Sequence, residues 1–265
     1  MTLPADQSRH QLPGWKLYAL TTADRPQREA HIRNEIDRLG IAHTVQVGTR
    51  PIDKGGFASV GFRGCFENHL ACLRAAQADG VDVAVLVEDD AVVIRRFWHF
   101  VGPIAAEAAT LDWTMLYLGY LASESLCQHE RVTMLTPHIA TADGWEVMGA
   151  HFVAIKATAI ADVIADFERR LLPGGSRISV DGILNEIRRD SGSPTLLCFP
   201  NLSRQGPSPS GITQGGRFES LLKRPRVQQV AELFDRVRWD LESFVSVRLH
   251  ERFWNRRARR HPRPD

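Results

Sequence analysis

Three adjacent carboxylates, Glu88, Asp89 and Asp90, follow directly on the apolar run Val81 to Val87. Three such groups side by side repel one another unless water or a cation lies among them. A hard divalent ion takes oxygen ligands, keeps part of its water and shares its other positions with phosphate. The chemistry suggested is stabilisation of a phosphate-type leaving group as negative charge builds on it. Alternate residues are the natural ligands, so Glu88 and Asp90 are expected to hold the ion, Mn2+ or Mg2+. A strand that merely ends in solvent would account for one acidic residue there, less readily for three.

Such a triplet needs elements to aim it. Val81 to Val87 reads as a strand buried on both faces of a parallel sheet, and ligands of open α/β sheets bind at the carboxyl ends of such strands. Trp15 to Leu20 reads as an opening strand. Ile32, Ile36 and Leu39 keep helical spacing up to the stop at Gly40, and Ile41 to Val47 alternates like a second strand. Together they predict a βαβ opening. A loop expected to be mobile, Thr49 to Gly61, leads to a helix over Arg63 to Gln77 with Phe66, Leu70 and Leu73 on one stripe. Further on, a helix is expected over Phe97 to Ala109, strands over Trp113 to Leu121 and Ala150 to Ile155, then a helix to about Leu171. Val180 to Arg189 reads as a short helix and Thr195 to Phe199 as a last strand. Ser123 to Asp143 has no firm pattern, and Asn201 to Gly216 reads as a polar loop.

The 265 residues, 43% hydrophobic and 24% charged, suit one α/β domain with an appended segment. The expected organisation is a flexible stretch 1–14, a catalytic-type domain 15–216, and a C-terminal helical extension 217–265. Four cysteines without a C-x-x-C pair exclude a zinc ribbon and a dithiol redox motif. Cys65 and Cys72, two turns apart on one helix, stand about 10 Å apart by helical rise, too far for a disulfide. Reduced thiols point to the cytoplasm. No run of about 18 apolar residues suggests a transmembrane helix. Seven arginines between Arg248 and Arg263 face one acidic residue, Glu251. With Phe253 and Trp254 they could anchor the tail peripherally on an anionic membrane, or simply fray from a packed helix. No nucleic-acid-binding module is recognisable.

Several segments in order resemble the family 25 glycosyltransferases, over most of Trp15 to Ile212. Leu20-Thr21-Thr22-Ala23-Asp24-Arg25 with Arg28 resembles the family's opening strand and arginine-bearing turn. Gly64-Cys65-Phe66-Glu67-Asn68-His69 resembles its G-C-x-x-S-H segment, with Asn68 in place of serine. Val85 to Asp90 resembles its L-x-x-E-D-D signature. Leu116-Tyr117-Leu118-Gly119 and Gly149-Ala150-His151-Phe152 resemble later strands, with His151 where tyrosine is common. Val180-Asp181 resembles its downstream aspartate, and Pro200, Gln205 and Ser210 its closing pattern.

The resemblance implies a GT-A-like, Rossmann-type mixed sheet with helices on both faces. It also implies a nucleotide-sugar donor, often UDP-galactose, and inverting transfer to a saccharide or glycolipid acceptor such as lipopolysaccharide or another surface glycan. Inversion needs a base for the attacking hydroxyl. Asp181 is the expected base, with Glu146 in reserve, although a helix-opening aspartate is as often a cap or first-turn charge. Arg25 is the expected phosphate contact. His69, Gln205 and Ser210 are candidate donor contacts, and Asp89 a candidate for ribose or sugar hydroxyls. A non-catalytic subunit binding a nucleotide sugar or glycan is the alternative. A nucleotidyl- or phosphotransferase is disfavoured, because no G-x-x-x-x-G-K-[ST] loop exists.

Overall fold

The structure is a computed structural model and describes residues 12–121, 132–142 and 146–206. The chain opens with β1 (Trp15–Thr22), α1 (Pro26–Leu39) and β2 (His43–Gly48), and β1 pairs with β2 in parallel. Pro26 starts α1 where no backbone donor is needed, and Gly40 ends it in the left-handed conformation at φ 64°. The helix α2 (Val60–Asp79) begins three residues before the expected Arg63. The Ser59 hydroxyl caps it by accepting from the Phe62 amide at 3.2 Å.

After α2 come β3 (Val83–Glu88) and the short β4 (Ala91–Val93), then α3 (Phe97–Ala108) and β5 (Met115–Leu121). The described part of the patternless stretch holds a hairpin of β6 (Val132–Met134) and β7 (Ile139–Ala142). The chain continues through β8 (Met148–Lys156), α4 (Ala157–Leu171), α5 (Val180–Ser191), β9 (Leu196–Cys198) and β10 (Ser203–Gln205). The sheet runs β2-β1-β3-β8-β5-β9-β7-β6, with β10 carrying β4 alongside β5. β3 continues the parallel start, but β8 lies antiparallel between β3 and β5, which makes the sheet mixed.

Side-chain alternation sends the strands' residues to two cores. Tyr18, Leu20, Ala84 and Leu86 face one side, where Phe66, Leu70 and Leu73 of α2 meet Ile160, Val163 and Phe167 of α4 and Ile183 and Leu184 of α5. Phe66 lies against Phe57 and Phe167, with ring centroids 5.1 and 4.8 Å away. Leu17, Ala19, Val83, Val85 and Val87 face the other side, under Ile32, Ile36 and Leu39 of α1 and Phe97, Phe100 and Ile104 of α3. Helices therefore cover both faces, as expected of this α/β class.

The loop Thr49 to Gly61, expected to be mobile, is pinned in its second half. Phe57 is buried, and Arg177 donates to the Gly55 carbonyl while its guanidinium lies 6.0 Å from the Phe57 ring. The polar loop expected over Asn201 to Gly216 contains a strand, Ser203–Gln205. Its three residues pair antiparallel with Ala91–Val93. A three-residue strand is too short to show alternation in sequence. The extension 217–265 with its basic tail, Cys127 and most of the stretch 1–14 lie outside the described residues. Cys65, Cys72 and Cys198 are free thiols, and no helix among the described residues is long and apolar enough to cross a membrane.

Candidate active site

The acidic triplet is held by its neighbours on three sides. Glu88 closes β3, Asp89 and Asp90 form the turn, and β4 leads away from it. From α1, His31 Nε2 lies 3.0 Å from the Ala91 carbonyl, Glu35 accepts from the Val93 amide at 3.1 Å, and Arg38 donates to the Val93 carbonyl at 3.0 Å. β10 closes the other edge of β4 and places Gln205 opposite Ala91. The Gly206 amide then donates to the Asp90 carbonyl at 2.6 Å. A residue 117 positions away is thereby brought to Glu88, to which the Gln205 amide donates at 3.4 Å.

A cavity of about 250 Å³ opens over this turn. Three arginines, Arg25, Arg28 and Arg50, and four carboxylates, Asp24, Glu88, Asp89 and Asp90, line it. Arg25 stands at the N-cap of α1, and Val60 and Gly61 open α2 on the same cavity. Two helix N-termini thus give it a bias towards anions, against the carboxylates on its floor.

The three acidic residues differ in their partners. Both Asp89 oxygens are engaged: one accepts from Thr21 Oγ1 at 2.8 Å, the other from Arg28 at 2.8 Å. Arg28 also lies 3.4 Å from Asp90, whose other oxygen, Oδ1, is buried without a hydrogen-bond partner. Burial pushes the Asp90 carboxyl up, against the pull of Arg28. Burial, then Asp90, Asp181 and Asp89, pushes Glu88 well above the usual carboxylate range. Protein groups therefore leave Glu88 and Asp90 short of positive charge. A hard oxygen set with an orphaned Asp90 oxygen fits a divalent cation.

The remaining candidates fall around this floor. Asp181, in the first turn of α5, accepts from the Ala150 amide at 2.6 Å, and burial raises its carboxyl. It is not among the cavity's lining residues, but its charge is felt at Glu88. Glu146 is exposed and pairs with Arg189 at 3.3 Å. His69 has 0% exposure and stands behind the floor, its Nδ1 2.9 Å from the Cys65 carbonyl. Ser210 lies outside the described residues.

Sequence reasoning missed Arg50 and Cys65 as lining groups, and the role of Asn68. Asn68 donates to the Thr21 carbonyl at 3.0 Å and so fixes the strand end that carries Thr21 to Asp89. A Cβ on Gly48 would lie 1.7 Å from the Asn68 side-chain oxygen, so a larger residue there would displace the Asn68 amide. No motif announces these contacts.

His151 explains why two glycines flank its ring. Cβ atoms on Gly119 and Gly149 would approach it to 2.7 and 2.9 Å. The ring is fully buried, with Nε2 3.2 Å from the Ser203 carbonyl, and burial holds its pKa at about 4. The unfolded chain takes up a proton near pH 6.5, the folded one only near 4. The stability His151 confers is thus complete above about pH 6.5 and is lost as pH falls towards 4, by up to about 3 kcal/mol. Urea unfolding of His151→Gln should show a flatter loss over this window than the parent. Equal slopes would remove His151 from the effect.

No protein-family model matches the chain, and no curated protein does. Among solved structures it is similar to a glycosyltransferase involved in glycosylation of the major capsid of PBCV-1, at 7% identity and TM-score 0.38, over 71% of this chain and 93% of that one. It is similar also to the apo form of the glycosyltransferase GlyE of Streptococcus pneumoniae TIGR4, at 10% identity and TM-score 0.36. A further GlyE structure gives 11% and 0.30. Each GlyE likeness covers 82% of this chain but 59% of GlyE. Likenesses this distant decide nothing about the chemistry of this chain.

Proposed function

We propose that the chain is a metal-dependent glycosyltransferase. It would move a hexose, galactose from UDP-galactose, with inversion to a saccharide acceptor of lipopolysaccharide or another surface glycan. The observation that carries this reading is the pair Glu88 and Asp90. They are half-buried, mutually repelling and incompletely paired, on the floor of a cavity rimmed by arginines and two helix N-termini.

Transfer breaks the bond between the sugar's anomeric carbon and the phosphate oxygen, and the nucleoside diphosphate leaves with the electron pair. Mn2+ or Mg2+ on Glu88 and Asp90 would supply the positive charge that offsets it. Arg25, from the start of α1, would bind the phosphates. Asp89 supports the site indirectly, keeping Arg28 and Thr21 in place. Gln205 can exchange its weak contact with Glu88 for one to the donor. Asp181 is the proposed base, taking the proton of the acceptor hydroxyl as that oxygen attacks. His69 stands behind Glu88 without reaching the cavity, and Ser210 would contact the donor from beyond the described residues. The family 25 resemblance supplies the sugar and the stereochemistry of this reading, and the acidic cavity supplies the metal and the diphosphate.

Calorimetric titration with UDP-galactose tests it. Binding should need Mn2+ or Mg2+ and vanish with excess chelator. Equal affinity with and without chelator would contradict the metal's part.

A further inference from the structure

Behind the cavity floor, three side chains of different chemistry converge. Cys65 and His69 sit one turn apart on α2, so they share a face, and Glu88 approaches that face from the end of β3. Cys65 Sγ lies 3.7 Å from Glu88 Oε1, and His69 Nε2 lies 3.8 Å from the same oxygen. One candidate ligand atom from each residue falls within 4.8 Å of the others. Neighbouring ligands around a tetrahedral zinc ion stand roughly 3.3–3.5 Å apart, given its bond lengths of about 2.0–2.3 Å. A small contraction would bring these atoms to that spacing.

The histidine is already oriented for such a task. Its Nδ1 donates to the Cys65 carbonyl at 2.9 Å, which leaves the lone pair on Nε2. A metal-binding histidine ordinarily gives its other nitrogen's proton to a carbonyl in this way. His69 Nε2 is fully buried and makes no hydrogen bond, although the Ala150 backbone also faces the ring. Facing the negative end of a carboxylate across 3.8 Å, an unprotonated nitrogen is an unfavourable arrangement that a cation between them would reverse.

We propose that Cys65, His69 and Glu88 Oε1 form a binding site for a thiophilic divalent cation of the zinc class. Cys65 and Glu88 line the cavity and His69 does not, so the fourth coordination position faces the cavity. Binding releases the thiol proton to solvent, and thiolate plus carboxylate then balance the two charges of the ion. Sulfur and imidazole favour Zn2+ over Mg2+ or Mn2+. Glu88 Oε2 faces Gln205 instead, so one carboxylate joins this site to the hard-cation site at Asp90. The inference concerns metal binding alone and stands whether or not the chain transfers sugar.

Reduced full-length protein is titrated with Co2+ as a spectroscopic probe of the zinc site. A sulfur-to-cobalt charge-transfer band with tetrahedral visible absorption is expected, abolished by competing Zn2+ but not by Mg2+. Cys65→Ser should lose the band and weaken Zn2+ binding by at least the roughly 10–100-fold that losing even a supporting partner costs. Cys72→Ser, on the same helix, should keep it. Alkylation of Cys65 in the unsubstituted protein, followed by mass spectrometry, should slow about 10-fold or more with Zn2+. No sulfur band, a band that survives in Cys65→Ser, or alkylation of Cys65 indifferent to Zn2+ would overturn the proposal.

Discussion

Asp90→Ala is expected to lower metal-dependent donor turnover by about 10²–10³-fold, the range seen when one group that stabilises transition-state charge is removed. The fold should survive the change. Arg28 keeps its 2.8 Å bond to Asp89, and the main-chain bond from Gly206 to Asp90 does not depend on the side chain. Because burial and Asp89 both raise the Asp90 carboxyl, its removal should relieve repulsion at the floor. The metal-free variant should therefore unfold at the same temperature as the parent or higher, while stabilisation by Mn2+ disappears. A lost residue of the core would lower both. Metal-dependent affinity for the nucleotide sugar that stays intact in Asp90→Ala would remove this residue from the site.

Asp181→Asn is expected to reduce the rate of transfer by about 10²–10⁴-fold, the usual worth of a positioned base, and to leave donor affinity within a few-fold. Asparagine keeps the oxygen that accepts the Ala150 amide at 2.6 Å, so the link between α5 and β8 persists. Only the ability to take a proton is lost. Burial raises the Asp181 carboxyl, so the parent's rate should rise with pH as that group ionises. The variant should lack this limb. A rate unchanged in the variant, or a defect confined to KM, would reduce Asp181 to a helix-opening charge that ties two elements together.

Much of the frame was legible because its signals are local and long. β1, α1, α2, β3, β8 and α4 each run far enough for period 2, period 3.6 or a continuous apolar run to declare them. The triplet's place at the end of β3 followed from that frame. What escaped depends on distant pairing. β4 and β10 have three residues each and exist as strands because they pair with each other, so nothing in either segment alone marks it. The same ladder delivers Gln205 to Glu88, which spacing along the chain cannot foretell. Alternate residues suggested Glu88 and Asp90 as ligands, but the engagement of both Asp89 oxygens depends on Thr21 and Arg28, more than sixty positions away. His69 likewise reads as a candidate donor contact and is fully buried, because α2 lays that face against the sheet.

The central claim is that the acidic floor works through a divalent cation to release a nucleoside diphosphate from a sugar. Hydrolysis of a panel of nucleotide sugars by the full-length protein, with Mn2+ and then with excess chelator, tests it most directly. The account predicts diphosphate release from one donor, UDP-galactose, abolished by chelator. Release that chelator leaves untouched, or no release and no metal-linked binding of any donor, would contradict it.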